Sequence, residues 1–371
     1  MSTATTTSTD PAQRRIFGNL TWNQLLTEGR AFIALAIIVI VFAVMSENYL
    51  TVGNLTTITK QVAFNALVAL GMLFVILHGG IDLSVGSTVG LTGAVAGNLF
   101  RGVDVPFTEL IMLPKLWVVV LIAVLVGMLV GWVNGLLISR LNLAPFIVTL
   151  GMLYVARGLT QVLLDGQNIT NELRGQEGLG NTGFLQIFAG SPLGIPMSAW
   201  TLILVTIIAS LVLAKTPFGR WLYSIGSNER AADLSGVPVK RVKVWVYVIS
   251  GLCAGLVGVL QIANISSSTA DLGQFYELNA IAAVVIGGAA LSGGRGTVRG
   301  TIIGAFVIGF LANGLVIVGV SPFWQQVITG AVIILAVAVD QIQQIIQRRR
   351  SARRAVASAK KESLARAAAA E

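Results

Sequence analysis

Ten apolar stretches of near membrane-spanning length follow one another between residues 31 and 342, and they decide which solvent this chain folds in. A helix needs about 20 mainly apolar residues to cross about 30 Å of hydrocarbon, at about 1.5 Å per residue. The stretches are 31–47, 56–77, 83–100, 116–138, 143–164, 198–214, 244–264, 278–292, 300–319 and 323–342. A bilayer offers no water to unpaired backbone groups, so such segments span as helices. The sequence therefore predicts an all-α polytopic membrane protein with about 10 transmembrane helices. Composition agrees, with hydrophobic residues making up 55% of 371 and a mean hydropathy of +0.82.

Basic residues set the orientation, because Lys and Arg are retained on the cytoplasmic side. An even number of spans with the N-terminus inside puts both termini in the cytoplasm, together with most of the 25 Lys and Arg residues. Removing one central span would send either the 215–243 loop or the tail to the wrong side. The chain divides into a cytoplasmic N-terminal extension (1–30), a transmembrane domain (31–342) and a basic cytoplasmic tail (343–371). The net charge of +9 reads as a topology signal beside anionic lipid and calls for no nucleic acid. The polar start carries no short apolar region with a cleavage site, so it reads as a solvated extension.

Several chemistries are excluded by absence. The single histidine, His78, and single cysteine, Cys253, cannot build a His/Cys metal cluster, a Cys–His nucleophile pair or a disulfide. No G-x-x-x-x-G-K-[ST] loop occurs, and Gly293–Gly300 lacks the lysine. The chain is thus expected to bind no cofactor and to be no enzyme. Intramembrane ionisable residues reduce to Asp82, Arg157 and Asp340, a weak proton relay. Arg157 either snorkels toward the outer surface near Asp165 or belongs to a pathway.

The soluble stretch Pro217–Lys243 reads as a short amphipathic helix with explicit ends. Ser227 or Asn228 caps its start, Glu229 and Asp233 favour its positive end, and Ala231, Ala232 and Leu234 form an apolar face. Gly236 suits a left-handed stop and Pro238 forbids continuation. So small a helix is unstable alone and must be held by its own protein or a partner.

Here a family pattern enters. Gly226–Val237, with Gly226, Asn228, Glu229, Arg230, Ala231, Ala232, Asp233, Ser235 and Gly236, resembles the cytoplasmic coupling loop of ABC importer permeases for monosaccharides. Gly79–Ser87, Pro192–Pro196, Tyr276–Gly288 and Gly309–Phe323 are similar to the ribose-type members, so the resemblance covers most of residues 50–342. Asn279 departs from it, since ribose permeases tend to carry aspartate there. The resemblance implies an inner-membrane permease subunit working with a second permease as a homodimer. Its partners would be an ABC ATPase, which holds ATP-Mg, and a periplasmic sugar-binding protein. The alternatives are an ion-gradient-driven sugar carrier and an ABC permease for branched-chain amino acids.

A weak internal repeat runs through the chain. Phe64–Ser84 parallels Leu278–Ser292, sharing Asn-Ala and then Gly-Gly-x-x-Leu-Ser, and Asn134–Phe146 parallels Asn313–Phe323. The second pair falls on spans of opposite direction. Between His78 and Gly90 the chain places glycines, serines and Asp82 where an apolar helix should continue. Small residues allow close helix approach, and hydroxyls pair with neighbouring helices or with solute. Asp82 is expected to cap the third span, which either crosses fully or is re-entrant. A neutral sugar needs donors and acceptors without fixed charge, which nominates Asn65, Asp82, Ser84, Ser87, Asn134, Asn279 and Asn313 for the pathway.

Overall fold

The structure, a computed structural model, describes residues 15–17, 20–21, 30–104, 111–174, 182–335 and 338. Among them the helices are α1 (Arg30–Met45), α2 (Val52–Leu77), α3 (Val85–Arg101), α4 (Leu116–Arg140), α5 (Pro145–Leu164) and α6 (Phe184–Phe188). They continue with α7 (Met197–Lys215), α8 (Pro217–Ser227), α9 (Glu229–Leu234), α10 (Val239–Ile265), α11 (Tyr276–Ile286) and α12 (Val298–Ile317). Two minimal antiparallel pairs, Arg15–Phe17 with Leu20–Thr21 and Val103–Asp104 with Ile111–Met112, accompany them. A further apolar helix, Pro322–Leu335, belongs to a second compact unit, 322–371. Asp340, the basic tail and most of the N-terminal extension lie outside the described residues.

Helices α2, α4, α5, α7, α10 and α12 are each long and apolar enough to cross a membrane. Apart from those two short pairs, the regular structure of the described residues is helical, and the chain is a polytopic membrane protein. Helices α2 and α10 form its centre, with apolar windows 83% and 78% buried, against 28% for α5 and α7. On α4 the residues Trp117, Leu121, Leu125 and Trp132 are exposed, as a lipid-facing surface requires.

Close backbone approach organises this centre. A Cβ added at Gly131 of α4 would fall on the Tyr247 carbonyl of α10, and one at Gly251 of α10 would fall on the Gly127 carbonyl. The two antiparallel helices therefore touch backbone to backbone, the use expected of small residues where lipid supplies no hydrophobic drive. Gly127, Gly131, Gly251 and Gly255 thus serve packing within the chain.

The repeated Gly-Gly pairs end two helices with the same hydrogen-bond pattern, shifted by one residue between them. At α2, Gly79 (φ 88°) donates to Ile76 O at 2.9 Å and Gly80 donates to Val75 O at 3.0 Å. At α11, Gly288 (φ 91°) donates to Val285 O at 2.8 Å and Ala289 donates to Val284 O at 3.1 Å. Both are left-handed stops that satisfy the last carbonyls, and a residue with a Cβ would be strained at either left-handed position. The second repeat lies at opposite ends of the fold. Asn134 pairs near the α2–α3 turn, whereas Asn313 pairs with Asn54 at the start of α2, about 35 Å away along that helix. The opposite directions expected for these two segments are realised.

Stretch 83–100 forms one unbroken helix, α3, whereas 278–292 is not a whole span. After α10 the chain turns back at Ser266 and descends along α3 without helical structure. Ser268 lies against Gly97, Leu272 against Gly93 and Gly90, and Gly273 and Glu277 against Gly86. This covers about 16 Å of α3, and α11 supplies about 16 Å more. Non-helical backbone at such depth must be buried in protein or line a cavity.

Candidate functional site

Two polar constructions stand out, one around the α2–α3 turn and one on the cytoplasmic loop. At the first, Asp82 Oδ1 accepts from the Ser84 backbone N–H at 3.0 Å and from Ser84 Oγ at 2.7 Å. Asp82 Oδ2 accepts from Ser250 Oγ on α10 at 2.8 Å, and Asn134 Nδ2 on α4 donates to Ser84 Oγ at 2.9 Å. Thr149 Oγ1 on α5 donates to the Ile81 carbonyl at 3.3 Å. One short turn is thereby tied to three helices. Asp82, Ser84, Ser87 and Asn134 are all buried; the carboxylate and both hydroxyls are paired, whereas Asn134 is paired through Nδ2 and its Oδ1 has no partner. Ser87 Oγ completes its pairing on the Ser84 carbonyl at 2.8 Å.

The cytoplasmic loop folds as two helices rather than one. Thr216 Oγ1 caps α8, with Pro217 in its first turn, and the chain extends at Asn228 (φ −161°) before α9 begins. Of the two capping candidates, Asn228 takes the role, its Oδ1 accepting from Ala231 N–H at 3.0 Å. Asn228→Ala should destabilise α9 by about 1 kcal/mol, seen as about fivefold faster amide exchange at Ala231 and Ala232. Gly236 (φ 82°) stops α9 by donating to Asp233 O at 3.0 Å. The apolar face departs from expectation. Ala232 is buried, but Ala231 is exposed and Leu234 is 82% exposed, because a six-residue helix docked through one alanine presents its other sides outward. Glu229 pairs with Lys243 at 2.7 Å, and a cleft of about 380 Å³ opens beside them, lined by Ser139, Asn142, Arg230, Asp233 and Lys240.

The loop meets the backbone of the membrane domain most closely at Gly226. A Cβ on Gly226, at the end of α8, would fall on the Leu77 carbonyl and the Gly294 N–H. Those two groups bond each other at 2.9 Å, joining the turn after α2 to the turn after α11. Tyr223 Oη adds a bond to the Gly296 carbonyl at 2.9 Å, and burial raises its phenol above the ordinary value. His78 sits beside this junction, edge-on to Tyr247 at 5.6 Å. Burial, aided by the Lys243 ammonium, lowers its imidazole to about 4, so it is neutral at physiological pH.

The structure brings Asp82, Ser84, Ser87 and Asn134 together and leaves the other nominated residues apart. Asn65 is half-buried on α2, its Oδ1 without a partner. Asn279 is half-buried on α11, and Asn313 exchanges two 3.0 Å bonds with Asn54. Arg157 does not pair with Asp165: its Nη1 donates to the Ala270 and Leu272 carbonyls at 2.8 and 2.9 Å. It thus serves the non-helical backbone that the bilayer would leave unpaired. Sequence reasoning overlooked Glu277, which stands in the first turn of α11, one residue before the apolar run 278–292. The signal available was a carboxylate bordering an unusually short apolar run.

With this geometry in view, comparison with known proteins is decisive. The family described as "Branched-chain amino acid transport system / permease component" matches residues 54–337. The chain belongs to this permease family. It is 46% identical over 312 residues to the ribose import permease protein RbsC of Bacillus subtilis, covering 84% of this chain and 91% of that one. It is 40% identical to the ribose import permease protein RbsC of Escherichia coli K12, covering 86% and 95%. The D-allose transport system permease protein AlsC of the same strain is 37% identical, covering 84% and 90%. No solved structure matches the chain. The permease is a multi-pass inner-membrane protein and a transport subunit, not an enzyme.

Proposed function

We propose that this permease forms the translocation pathway of an ATP-driven importer for a monosaccharide, with D-ribose the first candidate. The supporting observation is identity of 38–46% to ribose import permeases, extending over at least 84% of the chain. Its partners are an ABC ATPase that holds ATP-Mg, a periplasmic sugar-binding protein and a second copy of the permease. In this reading the domain 31–342 crosses the membrane ten times, with both termini and the tail 343–371 in the cytoplasm. Four of the nominated residues, Asp82, Ser84, Ser87 and Asn134, hold the wall of the pathway. Asn65, with a buried carbonyl oxygen lacking a donor, and Asn279 border its lumen, while Asn313 closes the far end.

The segment Gly226–Gly236 couples the ATPase to the membrane domain. Its charged residues Glu229, Arg230 and Asp233 and its exposed Leu234 offer a docking face, and Gly226 carries the movement inward. An ATPase that closes can then bias a two-state arrangement of the helices.

Reconstitution of the permease with its ATPase and binding protein in proteoliposomes tests this reading. ATP-dependent ribose uptake is expected, and uptake driven by an ion gradient without the ATPase would refute it. The loop gives a second test. Glu229→Lys breaks an exposed ion pair contributing at most about 1 kcal/mol, so the fold should persist. Uptake should nevertheless drop several-fold per ATP hydrolysed, because the docking face changes sign at that point.

A further inference from the structure

The charges that line the cleft beside α9 do not cancel. Lys243 and Glu229 pair at 2.7 Å, which leaves two cations, Arg230 and Lys240, against one carboxylate, Asp233. Neither Arg230 nor Lys240 has an ion-pair partner among the described residues. The cavity of about 380 Å³ lies within the range of small-ligand pockets, about 300–1,000 Å³. Helix α10 adds backbone donors, since Val239, Lys240 and Lys243 of its first turns line the cleft. The Val239 N–H is spent on the Val237 carbonyl at 2.8 Å and the Val242 N–H on the Pro238 carbonyl at 3.1 Å. Between them, the N–H groups of Lys240 and Arg241 bond to nothing among the described residues, because Pro238 supplies no side-chain cap. Free N–H groups at the start of a 27-residue helix favour an anion. A second unpaired donor stands in the cleft wall at the end of α4. Ser139 is 2% exposed, and its Oγ is buried without a hydrogen bond. A helical serine commonly returns its hydroxyl to a carbonyl one turn back, as Thr160 of α5 returns its own to Ala156 at 2.8 Å. Ser139 does not.

We propose that this cleft binds a phosphate monoester and that the bound ester restrains the coupling loop, an inference that rests on the coupling reading of α9. The α10 N–H groups and the Ser139 hydroxyl donate to phosphate oxygens, while Arg230 and Lys240 balance the charge. A phosphate group has three terminal oxygens, enough to meet donors from α4, α9 and α10 together. A carboxylate offers two oxygens and a single charge, and a metal cation meets the same excess of positive charge as a barrier. Bound in this way, the ester ties α9 to the end of α4. It thereby favours one arrangement of the loop over the other, and import slows. Two sources carry the group: a sugar phosphate, which a kinase acting on the imported sugar would make, and the headgroup of phosphatidate.

The test uses the full-length permease in phosphatidylcholine nanodiscs, with D-ribose 5-phosphate as the free probe and added phosphatidate as the lipid one. Saturable binding of ribose 5-phosphate, displaced by inorganic phosphate, is expected. Lys240→Gln, a change at an exposed side chain, should weaken it about tenfold, and Ser139→Ala several-fold. Ser139→Ala discards an unpaired hydroxyl, so it should unfold no earlier than wild type. Binding that phosphatidate abolishes assigns the site to the headgroup, and binding that phosphatidate leaves unchanged assigns it to the free ester. No binding of either probe, or equal binding by wild type and both variants, overturns the proposal. In the assembled importer, ribose 5-phosphate on the loop's side of the membrane should slow uptake several-fold, and Lys240→Gln should show less slowing relative to its own ester-free rate. Undiminished uptake at a saturating ester concentration overturns the restraint. A Glu229→Lys importer that stays fully coupled overturns the coupling reading, whereas binding to the permease alone stands or falls without it.

Discussion

Gly226→Val is expected to stop import while leaving the transmembrane helices inserted. The position lies outside the membrane spans, so insertion has no stake in it. A side chain there would nonetheless occupy the space of the Leu77 carbonyl and the Gly294 N–H, both backbone atoms. A flexible side chain could swing aside, but two turns held by their own helix stops cannot. The valine must therefore push α8 away or break the 2.9 Å bond between Gly294 and Leu77. Overpacking of this kind costs about 1–3 kcal/mol, and each 1.4 kcal/mol of misplacement is about tenfold in a rate. Uptake should fall about fivefold to 150-fold, since the bond lost is the one that lets the loop move both turns together. Gly151→Ala on α5, where an added Cβ meets nothing within 4 Å, serves as the control and should transport normally. The paired readouts are sugar uptake and membrane abundance. Normal uptake by the valine variant would remove Gly226 from any coupling role.

Some of this architecture was legible in the sequence because bilayer physics leaves few choices. Long, mainly apolar runs such as 56–77 and 116–138 had to be helices, and α2 and α4 follow them to within a few residues. The span read as ending at residue 77 does end there, but the one read through Gly287 and Gly288 to residue 292 stops at Ile286, where Gly288 takes the left-handed position that favours a residue without a Cβ. Glu277 and the descending segment were hidden for a physical reason. Half a span of helix preceded by a run of turns has the same composition as one short span, and apolar periodicity cannot separate the two. Arg157 was visible as an intramembrane cation, but its partners are the carbonyls of Ala270 and Leu272, which no residue type marks. Leu234 was misread because its outward position depends on which side of α9 docks, a tertiary fact. The division of the loop into α8 and α9 depends on one extended residue, Asn228, whose identity is compatible with a cap or a helix interior.

Asp82→Ala should be the most damaging single change near the α2–α3 turn, and Asp82→Asn should be mild by comparison. Alanine leaves the Ser84 N–H, the Ser84 hydroxyl and the Ser250 hydroxyl without their acceptor in a region where Asp82 itself is only 2% exposed. Each buried group so stranded costs about 1–3 kcal/mol, and water cannot readily replace the lost oxygen atoms. The damage would spread, because Asn134 bonds to the same Ser84 oxygen and thereby links α4 to the turn. A loss of about 3 kcal/mol or more is expected, a large fraction of the stability of an ordinary fold. Asparagine keeps Oδ1 for both Ser84 bonds, and its Nδ2 donates to Ser250 Oγ once that hydroxyl rotates. The contrast separates anchoring from solute contact. If Asp82 holds the turn, the alanine variant loses thermal stability and membrane abundance, whereas the asparagine variant keeps both and still imports. If instead the carboxylate's task is to meet sugar, the alanine variant melts together with wild type and both variants fail only in transport. Thermal unfolding of the purified permease beside uptake by the assembled importer decides between these, and the four bonds converging on residues 82 and 84 predict the first outcome.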